Sequence, residues 1–466
     1  MKYENQRISD LKITYIGGGS RGWAWRLMAD MALEPSLTGT VLLYDIDKDA
    51  AIHNEMIGNR ISNREEAVGS WQYKTCDTLE ESLKDTDFVI ISILPGTFDE
   101  MASDVHAPEE YNLYQSVGDT AGPGGLVRAL RTIPMFVEIG NAIKKFAPDA
   151  WVINYTNPMS LCVKTLYKVF PEIKAFGCCH EVFGTQKILK NICESTFGIE
   201  NIERDDIHVN VLGINHFTWF NKASYKGIDL FPVYEEYVKA NSKDGMKKDD
   251  ANWMNSSFHS ANLVKFDLYN RFGWIAAAGD RHLAEFMPGY EYLNTPETVT
   301  EWGFKLTTVD WRKNELSERL EKSEKLVRGE EEVELKPSGE EGIKLIKALC
   351  GLDRVVSNVN IPNTGRQIPN LPESAIVETN AVFSKDSISP IIAGEIKEDI
   401  LTLIRPHVEN HELILEAAME CDFDLAFKAF MNDPLVKAKC TKEEGEVLLR
   451  KMIRATEKYL PDKWFK

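Results

Sequence analysis

The sequence predicts an α/β protein: a doubly wound, mostly parallel sheet followed by a C-terminal α+β part. Two observations carry this prediction. Short apolar runs recur with helix-length segments between them, the pattern of a parallel sheet covered on both faces. The character of the chain then changes after about residue 220, where Tyr, Phe, Trp and Asn become dense and strands are harder to place. At 466 residues there is room for more than one domain, and the expected division is 1–215 and 216–466.

LKITYIGG (Leu11–Gly18) reads as the first buried strand, since Ile13, Tyr15 and Ile16 favour extended backbone. A helix is expected from Trp23 to Leu33, with Pro35 stopping it. Further strands are expected at Thr40–Asp45, Asp87–Ile93 and Ala150–Thr156, the last two ended by Pro95-Gly96 and Asn157-Pro158. Lys174–Cys178 and Val209–Ile214 are expected in the same layer. Asn241–Asp250 reads as a polar surface loop, and 303–350 is charge-rich. There Leu316 and Leu320 stand four apart, which predicts an amphipathic helix with one solvated face. Pro and Gly interrupt Val359–Pro372, and a long helical region follows from about Lys397. No internal repeat or low-complexity segment is present.

Composition excludes several classes of function. Hydrophobic residues at 43% and charged residues at 27% are the balance of a folded globular protein. No apolar run reaches the roughly 18 residues that a spanning helix needs, and MKYENQRISDLKITYIG lacks the basic start and long apolar core of a signal peptide. A cytoplasmic protein is therefore expected. Eight cysteines are too sparse for a disulfide framework. Cys76, Cys162, Cys193, Cys350, Cys421 and Cys440 are isolated and read as reduced core residues, whereas Cys178 and Cys179 are adjacent. A net charge of −18 argues against a nucleic-acid partner, but not against a small anionic substrate, because local Arg and Lys placement decides that.

Gly17-Gly18-Gly19-Ser20-Arg21-Gly22 fulfils G-x-G-x-x-G directly after a strand and at the mouth of a helix. In a Rossmann-like fold Gly17 permits the tight turn, Gly19 lets backbone approach a pyrophosphate, and Gly22 lets helix and sheet pack closely. Ser20, Arg21 and the helix N-terminus add donors and positive charge for the anion. Asp45, 23 residues past Gly22, can accept from the adenosine ribose hydroxyls. A carboxylate there disfavours a 2′-phosphate, so NAD is expected rather than NADP. A second glycine cluster, Asp119–Gly125, reads either as a cofactor or substrate loop or as a plain helix start.

Three segments are expected at the carboxyl ends of strands, where open α/β sheets bind ligands: Thr156–Pro158, Cys178–Glu181 and Gly213–Trp219. A thiolate and an imidazole from separate strand ends can jointly hold a divalent metal, with Asn157 as an oxygen ligand or neighbour. Paired Cys and His also occur in plain cores. Read from these residues alone, the chain is a metal-assisted, NAD-dependent dehydrogenase, the metal polarising the carbonyl that hydride removal creates.

Taken together, GGGS, DTAGPGGLVRALRTIP, INYTNP, CCHEVFG, GINHFTW, GDRH and VNIPNTGRQIPNLPESAIVE resemble glycoside hydrolase family 4 across nearly the whole chain, a family of NAD-dependent glycosidases. The resemblance implies redox-assisted elimination. NAD takes hydride from sugar C3, the C2 proton so acidified is removed, the C1 substituent leaves, water adds, and hydride returns. It also implies a divalent metal, commonly Mn2+, and reducing conditions, which suit an oxidisable thiolate ligand. Carried over residue by residue, Cys179 and His216 match the metal ligands, and Asn157 matches the asparagine near metal and sugar hydroxyls. Cys178 is expected to pack. Some members use a tyrosine as C2 base; those acting on unphosphorylated sugars carry an aspartate in a GD segment, here Asp280. Plainer roles for Asp280 are a helix cap or an ion pair with Arg281. Asp119 matches an acidic position near the glycosidic bond and is expected to assist departure of the leaving group.

The run Cys179-His180-Glu181-Val182 differs from the C-H-S of neutral α-glycosidases and resembles the α-galacturonidase subgroup, which acts on fragments of pectin. His180 and Glu181 are therefore expected near the substrate, Glu181 orienting a neighbouring basic group. A uronate needs a cation at its C5 carboxylate, and Arg281, His282, Arg21 and Arg366 are the candidates. The alternatives are α-glucuronidase, α-galactosidase or α-glucosidase activity, a dehydrogenase that accumulates NADH, and a non-enzymatic NAD-binding protein. The resemblance further implies a homo-dimer or homo-tetramer built on the aromatic segments after residue 220.

Overall fold

The computed structural model describes residues 1–246 and 260–465. Ten strands form one sheet: β1 (Lys2–Glu4), β2 (Arg7–Ile16), β3 (Leu37–Tyr44), β4 (Trp71–Thr75), β5 (Phe88–Ile91), β6 (Trp151–Asn154), β7 (Lys174–Gly177), β12 (Val355–Pro362), β13 (Ile376–Ser384) and β14 (Ser387–Pro390). The path runs β14-β13-β12-β7-β6-β5-β2-β3-β4, with β1 beside β2. Pairs from β4 to β7 are parallel, and β12 to β14 are antiparallel. The order reverses between β2 and β5, so the crevice at their carboxyl ends is the natural ligand site.

Alternation along the strands explains why both sheet faces are covered. Ile13, Tyr15, Ile90 and Ile153 point to one buried cluster, while Ile16, Val89, Ile91 and Val152 point to the other with Phe136, Leu166 and Phe170. Each side chain so buried contributes roughly 1.5–3 kcal/mol. A third cluster packs Val127 and Leu130 of helix Gly122–Phe146 against Leu401, Ile404 and Val408 of helix Glu398–Glu420. The expected C-terminal helical region is this latter helix and its successors.

Val209–Ile214 does not join the main sheet as expected. It lies in β8 (Ile207–Ile214), which turns at Asn215-His216 into β9 (Phe217–Tyr225). With β10 (Ile228–Asp229) and β11 (Ile275–Ala276) these make a separate antiparallel sheet. A two-residue turn can only return the chain antiparallel beside itself. The place next to β7 is taken by β12, with Asn360 opposite Gly177, so 1–215 and 216–466 share the main sheet. The charge-rich helix is Val309–Arg328. Of the expected polar loop, 247–250 lie outside the described residues. Among the described residues no helix is long and apolar enough to cross a membrane.

Candidate functional site

The glycine turn leaves β2 and enters helix Trp23–Ala32. Gly17 has φ +90°, and a Cβ there would stand 2.0 Å from Ser92 O, so only glycine fits. A Cβ on Gly19 would stand 2.7 Å from Ala50 Cβ and 2.9 Å from Asp45 Oδ2. Asp45 accepts the Gly19 N–H at 2.8 Å and the Asp47 N–H at 2.9 Å. Burial raises its carboxyl, and these backbone bonds oppose that. Arg21 pairs with Asp47 at 3.3 Å, and the Ser20 N–H donates to Gly17 O. Asn54, buried in helix Lys48–Ser62, donates to Gly18 O at 2.7 Å and to Ser20 O at 3.1 Å while accepting from Trp25 Nε1. No local pattern in the sequence marks Asn54 for this task.

Past the ends of β6, β7 and β8 lie Asn157, Cys179 and His216. His216 adopts φ +64° at the hairpin tip, a left-handed conformation uncommon for non-glycine residues but more accessible to Asn, Asp and His. Thr120 Oγ1 donates to Asp119 Oδ1 at 2.7 Å and lies 3.0 Å from His216 Nδ1. With its proton spent on Asp119, Thr120 accepts from Nδ1–H, which leaves the Nε2 lone pair of His216 free. Burial, then His282, drives His216 down to about 3, so the ring is neutral. His282 lies on it, ring centroids 3.9 Å apart.

Cys179 is buried, and burial followed by the Glu378 and Glu181 charges pushes its thiol well up. A thiolate there requires a cation beside it. Asn358 donates to Cys179 O at 2.9 Å and to Glu378 Oε1 at 2.7 Å, and Asn215 donates to Glu378 Oε2 at 3.2 Å. Glu378 thus braces both the thiol segment and the hairpin tip; burial raises it to about 7. Among the described residues no three His, Cys, Asp or Glu side chains converge as a ready metal site. A metal held here needs neutral oxygen donors beside Cys179 and His216, and Asn157 Oδ1 is buried with no hydrogen-bond partner. The donor set fits a divalent cation of intermediate softness.

Asp119 sits at about 2: burial would raise it, but Arg128 and then His282 and His216 hold it down. Arg128 also donates to Asn157 O at 3.1 Å. Glu181 accepts the Gly279 N–H at 3.1 Å and lies 3.6 Å from His282 Nε2. It too is held at about 2, burial being outweighed by His282, His216 and His180. His180 Nδ1 lies 3.2 Å from Glu340, and although burial lowers it, Glu340 and Glu181 raise it to about 9.

The remaining expected residues make contacts of other kinds. Asp280 is buried and accepts the Val264 N–H at 3.3 Å and the Lys265 N–H at 3.1 Å, capping helix Leu263–Phe272. Arg281 is buried, with Nε on Lys305 O at 3.1 Å and Nη2 on Ser116 O. Arg366 is exposed and pairs with Glu373 at 2.8 Å, so it does not join the cluster. Thr120, Arg128, Asn215 and Glu378 are the site residues that sequence reasoning left without a role. Each stands inside a recognised block, Thr120 and Arg128 in DTAGPGGLVRALRTIP, Asn215 in GINHFTW and Glu378 at the end of VNIPNTGRQIPNLPESAIVE, which was the only signal for them.

Comparison with known proteins gives these residues a context. The model described as family 4 glycosyl hydrolase matches residues 12–195, and that of the family 4 C-terminal domain matches 211–436. The chain is 64% identical over 464 residues to an α-galacturonidase of Lachnoclostridium phytofermentans, covering 100% of both chains. It is 60% identical over 465 residues to an α-galacturonidase of Thermoanaerobacterium saccharolyticum, covering 100% of this chain and 99% of the relative. Among solved structures, a Bacillus subtilis protein described as a glucosidase superposes with a TM-score of 0.90 at 49% identity, over 96% of this chain and 100% of that one. A 6-phospho-α-glucosidase from gut microorganisms, solved with NAD and Mn2+, shares the fold with a TM-score of 0.77 at 21% identity, over 97% and 99% of the two chains.

Proposed function

Because this chain belongs to family 4 of the glycosyl hydrolases, we propose that it is an NAD- and Mn2+-dependent α-galacturonidase. It releases galacturonic acid from small oligogalacturonides and other α-galacturonides, a step in the breakdown of pectin. The observation that carries this reading is the end-to-end 64% identity to a protein of that activity.

The residues present fit both helper groups. At Gly17 and Gly19 the chain's own atoms leave no room for a Cβ, which keeps the turn tight at the helix N-terminus and suits a dinucleotide held by Gly17, Gly19, Ser20, Arg21, Gly22 and Asp45. Cys179, neutral His216 and the unpartnered Asn157 Oδ1 suit the metal. The chemistry supplied there, when both are bound, is hydride acceptance and return at sugar C3 and stabilisation of negative charge on sugar oxygens.

The chain's own side chains do the rest. Asn157 orients sugar hydroxyls beside the Cys179–His216 pair. Asp119, ionised at neutral pH because Arg128 offsets its burial, accepts hydrogen bonds from the substrate or from water near the glycosidic oxygen; in this state it does not donate a proton. Glu181 fixes His282 over His216. Asp280 removes the C2 proton, and burial raises its carboxyl toward the proton affinity that a base requires. A homo-dimer or homo-tetramer in the cytoplasm completes the proposal, and size-exclusion chromatography with light scattering measures the assembly.

The test is turnover of aryl α-galacturonide, α-glucuronide and α-galactoside by protein supplied with NAD, Mn2+ and thiol. Galacturonide is expected to be preferred with no net NADH. Turnover of the neutral galactoside alone, or steady NADH accumulation, would sink the reading.

A further inference from the structure

The helix Val309–Arg328 turns a mixed face inward: Val309, Ser323 and Leu326 are buried and Arg312, Leu316 and Arg319 half-buried, whereas Leu320 of the expected apolar pair is exposed. Near its C-terminal end Arg60 donates to Val327 O at 2.9 Å. Arg319 donates to Arg21 O at 3.2 Å, and a Cβ on Gly22 would stand 3.3 Å from its guanidinium. The start of the helix is fastened to the loop that carries Asp119, because Thr307 donates to Ser116 O through both its N–H (3.2 Å) and its Oγ1 (3.0 Å). Arg312 precedes Arg319 by seven residues on the same helical face, about 10 Å along the axis at the helical rise. It therefore stands between the nucleotide turn and the Asp119 loop.

The other arginines in this region are engaged. Arg128 is on Asn157 O, Arg281 is on Lys305 O and Ser116 O, and Arg319 pairs with Glu315. Arg312 differs. Its Nε is buried with no hydrogen-bond partner, as is that of Arg21, but Arg21 pairs with Asp47, whereas among the described residues no carboxylate lies within ion-pair distance of Arg312, whose guanidinium lies 6.0 Å from the centre of the Trp311 ring. Burial pushes its guanidinium down, and the Asp119 charge and then that of Glu315 oppose this; yet Glu315 is paired with Arg319, and Asp119 accepts from Thr120 without coming within ion-pair distance of Arg312. A recessed cation without a counter-charge is destabilising until an anion completes it. The planar fork of a guanidinium matches a carboxylate in two parallel hydrogen bonds.

We propose that Arg312 binds a carboxylate of the uronide substrate and so sets the preference for acidic over neutral sugars. This rests on the α-galacturonidase reading. Two carboxylates share this chemistry in a digalacturonide, that of the sugar released and that of the leaving group.

The test compares wild type, Arg312→Ala and Arg312→Lys, loaded with NAD and Mn2+. Free galacturonate and galactose are titrated calorimetrically, and KM and kcat are measured on aryl α-galacturonide and digalacturonate. For Arg312→Ala the galacturonate affinity is expected to fall at least about 30-fold and KM to rise by a similar factor, with kcat and NAD affinity changed less. Arg312→Lys is expected to recover part of the loss, having the charge without the fork. A KM defect on both substrates assigns the sugar that is released; a defect confined to digalacturonate assigns the leaving group. Unchanged galacturonate binding and KM would overturn the proposal, as would an equal loss of NAD affinity. If wild type binds galacturonate yet turns over only galactoside, the activity reading fails while the binding comparison still decides the role of Arg312.

Discussion

At the scale of single residues, the site depends on Thr120 as much as on the ligands themselves. Its hydroxyl spends its proton on Asp119 and accepts from His216, which fixes the tautomer of the ring that the hairpin tip presents. Thr120→Val keeps the shape and removes both bonds. Metal affinity is expected to fall about 10–100-fold, the usual cost of losing a partner behind a metal ligand, with NAD affinity preserved; a metal titration showing no change would refute the relay. Asp280 presents a sharper contest, because its carboxylate caps a helix and is also the proposed C2 base. Asp280→Asn retains an acceptor for one amide, so the protein is expected to fold with a modestly lower Tm. Exchange of the C2 proton with solvent deuterium is expected to fall at least about 100-fold. Normal exchange would leave Asp280 only as a cap.

At the scale of elements, the glycine turn is tightened by its neighbours. Gly19→Ala would press on Ala50 and break the Gly19–Asp45 contact. NAD affinity is expected to drop at least about tenfold, equivalent to about 1.4 kcal/mol, and saturating NAD is expected to recover activity. Fluorescence titration of NAD measures it, and unaltered affinity would move the cofactor elsewhere. A second element-scale link is the His180–Glu340 pair, which ties the strand-end segment Cys178–Glu181 to the loop before helix Gly342–Leu349. The folded value of His180, about 9, lies above its ordinary 6.5. The pair therefore contributes fully below pH 6.5 and is lost as pH rises through 9. Denaturant unfolding of metal-free wild type and His180→Gln is expected to show a stability gap at pH 6 that closes by about pH 9.5; a gap independent of pH would deny the charge on His180.

For the whole molecule, the shared sheet is the governing fact. Strands β12 to β14 come from the second half of the chain and pair onto β7 from the first, while the β8–β9 hairpin straddles residues 215 and 216. Neither half can bury its own edges alone. The chain is expected to unfold in one cooperative transition, followed by tryptophan fluorescence and circular dichroism together; two separated transitions would show that the halves are independent. The same interleaving carries helix Val309–Arg328 back over the nucleotide turn, so its Leu316–Leu320 spacing gave the helix but not its inward face, from which Leu320 turns away.

Local chemistry is legible in a linear sequence. The strand, glycine turn and helix around Gly17–Gly22 could be read directly, because strand alternation, glycine spacing and the helix start are properties of neighbouring residues, although the atom that makes Gly17 obligatory, Ser92 O, comes from a distant segment. The ordered motifs through Cys179 and Gly213–Trp219 identified the family for the same reason. Tertiary structure decided what depends on approach from a distance. It put Val209–Ile214 in a hairpin instead of the main sheet, set Arg366 on the surface with Glu373, turned Asp280 under a helix, and brought Asn54, Thr120, Glu378 and Arg312 to their partners or left them without one. Periodicity records which face of an element is buried. It does not record which of several buried or half-buried polar groups will meet, and the electrostatics of this site are set by those meetings.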